Sequence, residues 1–142
     1  MIILDTNVLS ALMRKLPDAA VVAWLDRQPA DSIWITSVTY FEARLGLALL
    51  PEGKRRAALL SAFAHLVEED LDNRVLDFDT AAAIEAAELA SQRQRDGKPV
   101  AIRDTQIAGI ALARHAVLAT RNTRHFADLR IKVIDPWQVS DR

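Results

Sequence analysis

A three-layer α/β/α domain built on a parallel sheet is the fold class this sequence of 142 residues predicts. Three observations predict it. Short runs of large aliphatic residues alternate with longer segments of helical character, the order that gives parallel strands joined by right-handed crossovers. The runs are continuously apolar, as in strands covered on both faces. About half the residues (51%) are apolar, enough for a chain of this length to bury a core. No repeat, low-complexity tract or long linker divides the chain, so residues 1–142 read as a single domain.

Each element has its own signal. Ile2 to Leu4 reads as the first strand, Val8 to Met13 as a short helix, and Ala19 to Arg27 as a second helix that Pro29 stops. Ser32 to Thr36 is β-rich and reads as the second strand. A helix follows from Val38 to Leu50, ended by Pro51, and another from Gly53 to Glu69, with Leu59, Leu60, Phe63, Leu66 and Val67 apolar. Arg74 to Phe78 reads as the third strand. Asp79 is placed to cap the next helix, which runs to Asp96 and stops at Gly97. Ile102 to Arg114 is a further helix, Ala116 to Thr120 the fourth strand, and Ile131 to Ile134 a short fifth.

There is no cysteine, which excludes disulfides and thiolate metal sites. The opening apolar run is three residues long, far short of the roughly 20 that span a membrane, and nothing resembles a signal peptide. Cytoplasm is the default location. The net charge of −1 argues against a polycation, but the charges are unevenly placed. Glu68 to Glu88 holds eight acids and one base, and Arg93 to Lys132 nine bases and three acids. The second region offers a local basic surface for phosphates, or an ordinary solvated helix face.

In parallel sheets, ligands sit beyond the carboxyl ends of the strands. Asp5 stands where the first strand ends. It can serve a site there, or simply cap the helix that follows. Glu42 is four residues after Val38 and three before Leu45, so it points with a stripe marked by Val38, Phe41, Leu45 and Leu49. Its structural reading is a capping box, Thr39-x-x-Glu42. Asp104 shares a face with Ile107, Ala108 and Ala111. A carboxylate there is costly to desolvate unless paired or metal-bound, although an acid in a first helical turn also suits the helix dipole. Three acids gathered at one sheet edge raise each other's pKa values, and a divalent cation relieves the repulsion. His65, His115 and His125 have no ligand spacing, and the first two read as ordinary helix residues. Oxygen ligands alone favour Mg²⁺ or Mn²⁺ over Zn²⁺.

Four stretches, "ILDTNVLSAL", "TSVTYFEARLGL", "RDTQIAGIALAR" and "LATRNTRHF", resemble the PIN-domain ribonucleases. Within these the chain is similar to VapC-type toxins of type II toxin–antitoxin pairs, near the FitB-like branch. The resemblance runs from Met1 to about Pro136. It implies a five-stranded parallel sheet in the order 3-2-1-4-5 and a metal-dependent endoribonuclease. It assigns Asp5, Glu42 and Asp104 as catalytic residues and metal ligands, with Thr6 and Asn7 supporting them. Thr120 matches the hydroxyl residue after strand four, and Asn122 falls on the fourth acidic position of many relatives, here an amide. Relatives also often carry Asp where this chain has His125. Both departures leave the number of metal ions open, and with it whether Asp128 compensates. The implied mechanism is in-line attack of a metal-activated water on phosphorus, leaving a 5′ phosphate and a 3′ hydroxyl. Arg103, Arg121 and Arg124 are the residues placed to meet the RNA backbone. The resemblance further implies a homodimer and a cognate antitoxin that blocks the acidic pocket and alone carries DNA binding. Trp24, Trp34 and Trp137 read as core or interface residues.

Two other readings compete. A haloacid-dehalogenase-type phosphohydrolase also begins with an aliphatic strand ending in Asp, but needs a second acid where this chain has Asn7. The other alternative is a catalytically silent PIN module that binds RNA or a partner protein without cutting, a reading that Asn122 favours.

Overall fold

A computed structural model describes residues 1–138. Five parallel strands form one sheet in the order β3-β2-β1-β4-β5. They are β1 (Ile2–Leu4), β2 (Ile33–Thr36), β3 (Val75–Leu76), β4 (Val117–Ala119) and β5 (Val133–Ile134). The central strand pairs Ile3 with Trp34 on one side and with Leu118 on the other. Six helices cover the sheet: α1 (Thr6–Leu12), α2 (Ala19–Asp26), α3 (Ser37–Ala48), α4 (Lys54–His65), α5 (Thr80–Arg95) and α6 (Ile102–Arg114). The class and strand order expected from the sequence are those observed.

Successive strand residues face opposite ways, and two core clusters result. Leu4, Ile33, Ile35 and Ala119 pack with Val8, Leu9, Val21, Trp24 and Phe63 on one face. Ile3 and Leu118 pack with Ile107, Ala108, Ile110, Ala111 and Phe126 on the other. Helix α3 serves both, with Val38 in the second cluster and Leu47 in the first. Trp24 lies in the core, while Trp34 and Trp137 are half-buried against it.

Several boundaries differ from expectation for local reasons. Helix α1 begins at Thr6, earlier than Val8, because Asp5 accepts the Thr6 N–H at 2.8 Å. Ser32 belongs to a 3-10 turn, its hydroxyl donating to the Pro29 carbonyl at 2.6 Å, so β2 starts at Ile33. The helix expected to reach Glu69 is α-helical only to His65, then winds through a π-helical turn at Leu66–Asp70. Asp72 and Asn73 follow with positive φ, a conformation these two residue types tolerate. Strands β3, β4 and β5 are shorter than the apolar runs that carry them. Asp79 does cap α5, accepting the Ala82 N–H at 2.9 Å, and Gly97 (φ 69°) follows its end. His115 also ends α6 in the left-handed conformation, outside the helix proper.

The stripe expected on α3 is corrected. Phe41 and Leu49 are 54% and 76% exposed, and the buried residues are Val38, Thr39 and Leu47. The capping box is corrected too. Thr36 is the N-cap, its hydroxyl accepting the Thr39 N–H at 3.1 Å, which leaves Thr39 inside the helix.

Helices α5 and α6 cross in close contact at Gly109. A Cβ there would stand 2.5 Å from the Ala82 carbonyl oxygen and 2.7 Å from the Ala86 Cβ. Backbone cannot yield as a flexible side chain can. Gly109→Ala is therefore expected to lose about 1–3 kcal/mol in urea unfolding, the usual cost of overpacking, despite the better helix propensity of Ala. An Ala variant as stable as the parent would contradict this packing.

Candidate active site

The carboxyl ends of the strands share one edge, and the site is built there. Strand β1 delivers Asp5, whose N–H extends the sheet ladder to the Ala119 carbonyl at 2.9 Å. Strand β4 delivers Thr120 beside it, its N–H donating to the Ile134 carbonyl. Both side chains are buried, Asp5 at 3% exposure and Thr120 at 0%. The Thr120 hydroxyl donates to Asp5 Oδ2 at 2.7 Å and accepts the Asn122 N–H at 3.1 Å. Asn7 spans the same pair. Its amide nitrogen is 3.4 Å from Asp5 Oδ2 and 3.3 Å from the Thr120 hydroxyl, and its Oδ1 accepts the Arg121 N–H at 3.1 Å.

Glu42 comes from α3. The Thr6 hydroxyl donates to its Oε1 at 2.8 Å and lies 3.1 Å from the Thr39 hydroxyl. Arg103 stands 3.6 Å from Glu42 Oε2, with its guanidinium 5.2 Å from the centre of the Phe41 ring. Asp104 comes from the first turn of α6. The inward face expected for it is present, with Ile107, Ala108 and Ala111 fully buried. Its Oδ2 is 3.1 Å from His125 Nδ1. Asp5 and Asp104 thus take their places from apolar surroundings that fix the backbone, and Glu42 from the hydroxyl that holds it.

Burial, first of all, raises the Asp5 carboxyl above its ordinary 3.8. The hydrogen bonds from Thr120 and Thr6 pull it back down, and the charges of Asp104 and Glu42 push it up again. Desolvation therefore outweighs repulsion between the acids, which the sequence reading put first. The charges of both acids are nevertheless felt at Asp5.

The oxygen-only donors suit a hard dication by chemistry. No group of three Asp, Glu, His or Cys side chains arranged to hold a metal ion is present among the described residues. Glu42 is engaged by Thr6 and Arg103, and Asp104 by His125.

The remaining candidates divide. Asn122 reaches the site through its backbone N–H to Thr120. Arg121 stacks over Trp137 at 4.8 Å, and Arg124 is exposed beside Asp104 and His125. Asp128 does not fill the place of the missing acid. It forms a bidentate pair with the buried Arg93 at 3.0 and 3.1 Å, and this guanidinium holds its carboxyl below the usual range. Arg93 also donates to the His125 carbonyl at 2.6 Å, fixing the 3-10 turn Thr123–Phe126 against α5. The contact of His125 with Asp104, 21 residues away, and the anchoring by Arg93 were missed from sequence, where no local spacing encodes either pairing.

The PIN domain family matches residues 2–132. A VapC ribonuclease, Y4jK, of Sinorhizobium fredii is 39% identical over 97% of this chain and 99% of its own. Toxin FitB of Neisseria gonorrhoeae is 36% identical over 96% of this chain and 99% of its own. The solved structure of FitAB bound to an IR36 DNA fragment superposes with a TM-score of 0.89 at 35% identity, covering 99% of this chain and 98% of that one. A fold and an acidic sheet edge of this kind define a PIN domain. This chain belongs to that family, in its VapC- and FitB-like toxin branch.

A carboxyl with a higher pKa folded than unfolded favours folding while protonated. That contribution is fully present below the unfolded value and is lost as pH rises through the folded one. At neutral pH the ionised Asp5 thus burdens the fold, and an amide would not. Asp5→Asn is expected to unfold at higher urea than wild type at pH 7 in EDTA, with the gap closing as pH falls toward 3.8. An amide variant that is less stable at pH 7 would mean the carboxylate is structural.

Proposed function

We propose that this protein is a divalent-metal-dependent endoribonuclease toxin, neutralised by a cognate antitoxin and acting in the cytoplasm. The observation that carries the reading is the buried Asp5 carboxyl, held by Thr6 and Thr120 and lying in the field of Glu42 and Asp104. Named VapC ribonucleases among the relatives support nuclease chemistry. FitAB complexes among the structural neighbours support an antitoxin partner.

Mg²⁺ or Mn²⁺, when bound, would supply an acidified water and offset charge on the phosphoryl group. Asp5, Glu42 and Asp104 are the residues that would hold it. The chain's own groups do the rest. Thr120 and Thr6 fix Asp5 in one orientation, and the Thr6 hydroxyl and Arg103 hold Glu42. His125 holds Asp104. Asn7 ties the turn after β4 to the turn after β1, keeping Thr120 and Asp5 in register. Water adds to phosphorus as the bond to the 3′ oxygen breaks, and that oxygen takes up a proton. Arg103, Arg121 and Arg124 line the approach of the RNA backbone.

The toxin is proposed to form a homodimer through the apolar face that runs from Phe41 in α3 to Leu49 at its C-cap, both exposed, with the half-buried Leu45 between them at helical spacing. A second copy fits this face because identical apolar stripes are complementary across a two-fold axis. DNA would be met only through the antitoxin. A second reading, a silent module that binds RNA or a partner without cutting, is favoured by the amide at Asn122 and by the engagement of Glu42 and Asp104 in other contacts.

Purified protein is expected to cleave RNA with Mg²⁺ or Mn²⁺ and to lose the activity in EDTA. Asp5→Asn should lower the rate by about a hundredfold or more, the scale of losing a group that acts in the transition state. Cleavage at equal rates by wild type and Asp5→Asn would assign the activity to another site or a contaminant. RNA binding without cleavage would establish the silent module.

A further inference from the structure

A cavity of about 330 Å³ opens beside Asp104 and lies outside the contacts that hold Asp5 and Glu42. Arg93, Lys98, Arg124 and His125 line it together with Asp104 and Asp128. Its charges do not cancel evenly. The guanidinium of Arg93 is spent on Asp128 in a bidentate pair and on the His125 carbonyl. Asp104 is in contact with His125. Lys98 and Arg124 remain. Both are exposed, and neither makes an ion pair among the described residues. Lys98 acts on Asp128 only through its field.

The other cations near the site differ. Arg103 is drawn to Glu42 and lies over Phe41, and Arg121 lies over Trp137. Lys98 and Arg124 are thus cations that the fold itself does not use, on the wall of a cavity whose rim is one of the site's acids. A compact anion gains little from such a place, since Asp104 stands beside it. An extended polyanion gains more, with one phosphate at the acids and a neighbour between the two cations. The Arg93–Asp128 pair makes one wall rigid and neutral.

Resting on the nuclease reading above, we propose that this cavity is a backbone subsite for RNA, in which Lys98 and Arg124 grip a phosphate flanking the one at the acidic edge. Lys98 is thereby a substrate-positioning residue that no motif marked. The grip is independent of sequence, and it fixes the register of the strand rather than the base that is cut.

The test measures anisotropy of a labelled single-stranded oligoribonucleotide with the full chain carrying Asp5→Asn, across a range of salt. In that background, Lys98→Gln and Arg124→Gln are each expected to weaken binding by about three- to tenfold. Each should also reduce the slope of log affinity against log salt by about 0.7, the value for one lost phosphate contact on a single strand. Lys98→Arg should bind within about twofold of the parent, because it keeps the charge. Arg114→Gln, at the far end of α6 and paired with Asp79, should leave affinity unchanged. Affinity and slope that stay at parental values in both Gln variants would overturn the subsite and leave the nuclease reading standing. A parent with no affinity for RNA would overturn both.

Discussion

Everything at the candidate site depends on one buried carboxylate. Asp5 sits where the central strand ends, with sheet on both sides and helices above and below. Little solvent reaches it to screen its charge. Its cost is offset in part by the Thr120 hydroxyl from the neighbouring strand and by the first N–H of α1. Parallel pairing is what makes this arrangement available, because it brings the ends of β1 and β4 to one edge without a hairpin between them. The same pairing lets Asn7 bridge Asp5 and Thr120, residues 115 positions apart.

Around this fixed point the other acids are held more loosely. Glu42 and Asp104 are partly exposed, and each has a side-chain partner, Arg103 and His125. Such contacts between partly exposed groups are weak. The site is therefore rigid at Asp5 and adjustable at Glu42 and Asp104. The Arg93–Asp128 pair belongs to the rigid part. It spends a buried guanidinium on anchoring the turn that carries His125, and in doing so occupies both oxygens of Asp128.

Much of this was legible in the chain. The run Ile2 to Leu4 ending on Asp5 announced a strand and placed an acid at the sheet edge, where it does cap α1. The inward face of α6 was equally plain from Ile107, Ala108 and Ala111. On α3 periodicity misled. Phe41 and Leu49 are apolar without being buried in the single chain, so the stripe they form described a surface instead of the core. Glu42 reaches the site from Thr6, a contact across 36 residues that no local pattern encodes. The π-helical turn after His65 and the pairing of His125 with Asp104 were hidden for the same reason. They follow from how elements dock, and side chains far apart in sequence leave no periodic trace.

The central claim is that Asp5 is a buried carboxylate sharing one locality with Glu42 and Asp104. A ¹³C NMR titration of its carboxyl carbon tests this most directly. Without divalent ions the group should titrate above 3.8, and added Mg²⁺ should lower its midpoint by favouring the charged form. A midpoint at or below 3.8 that does not respond to Mg²⁺ would contradict the account.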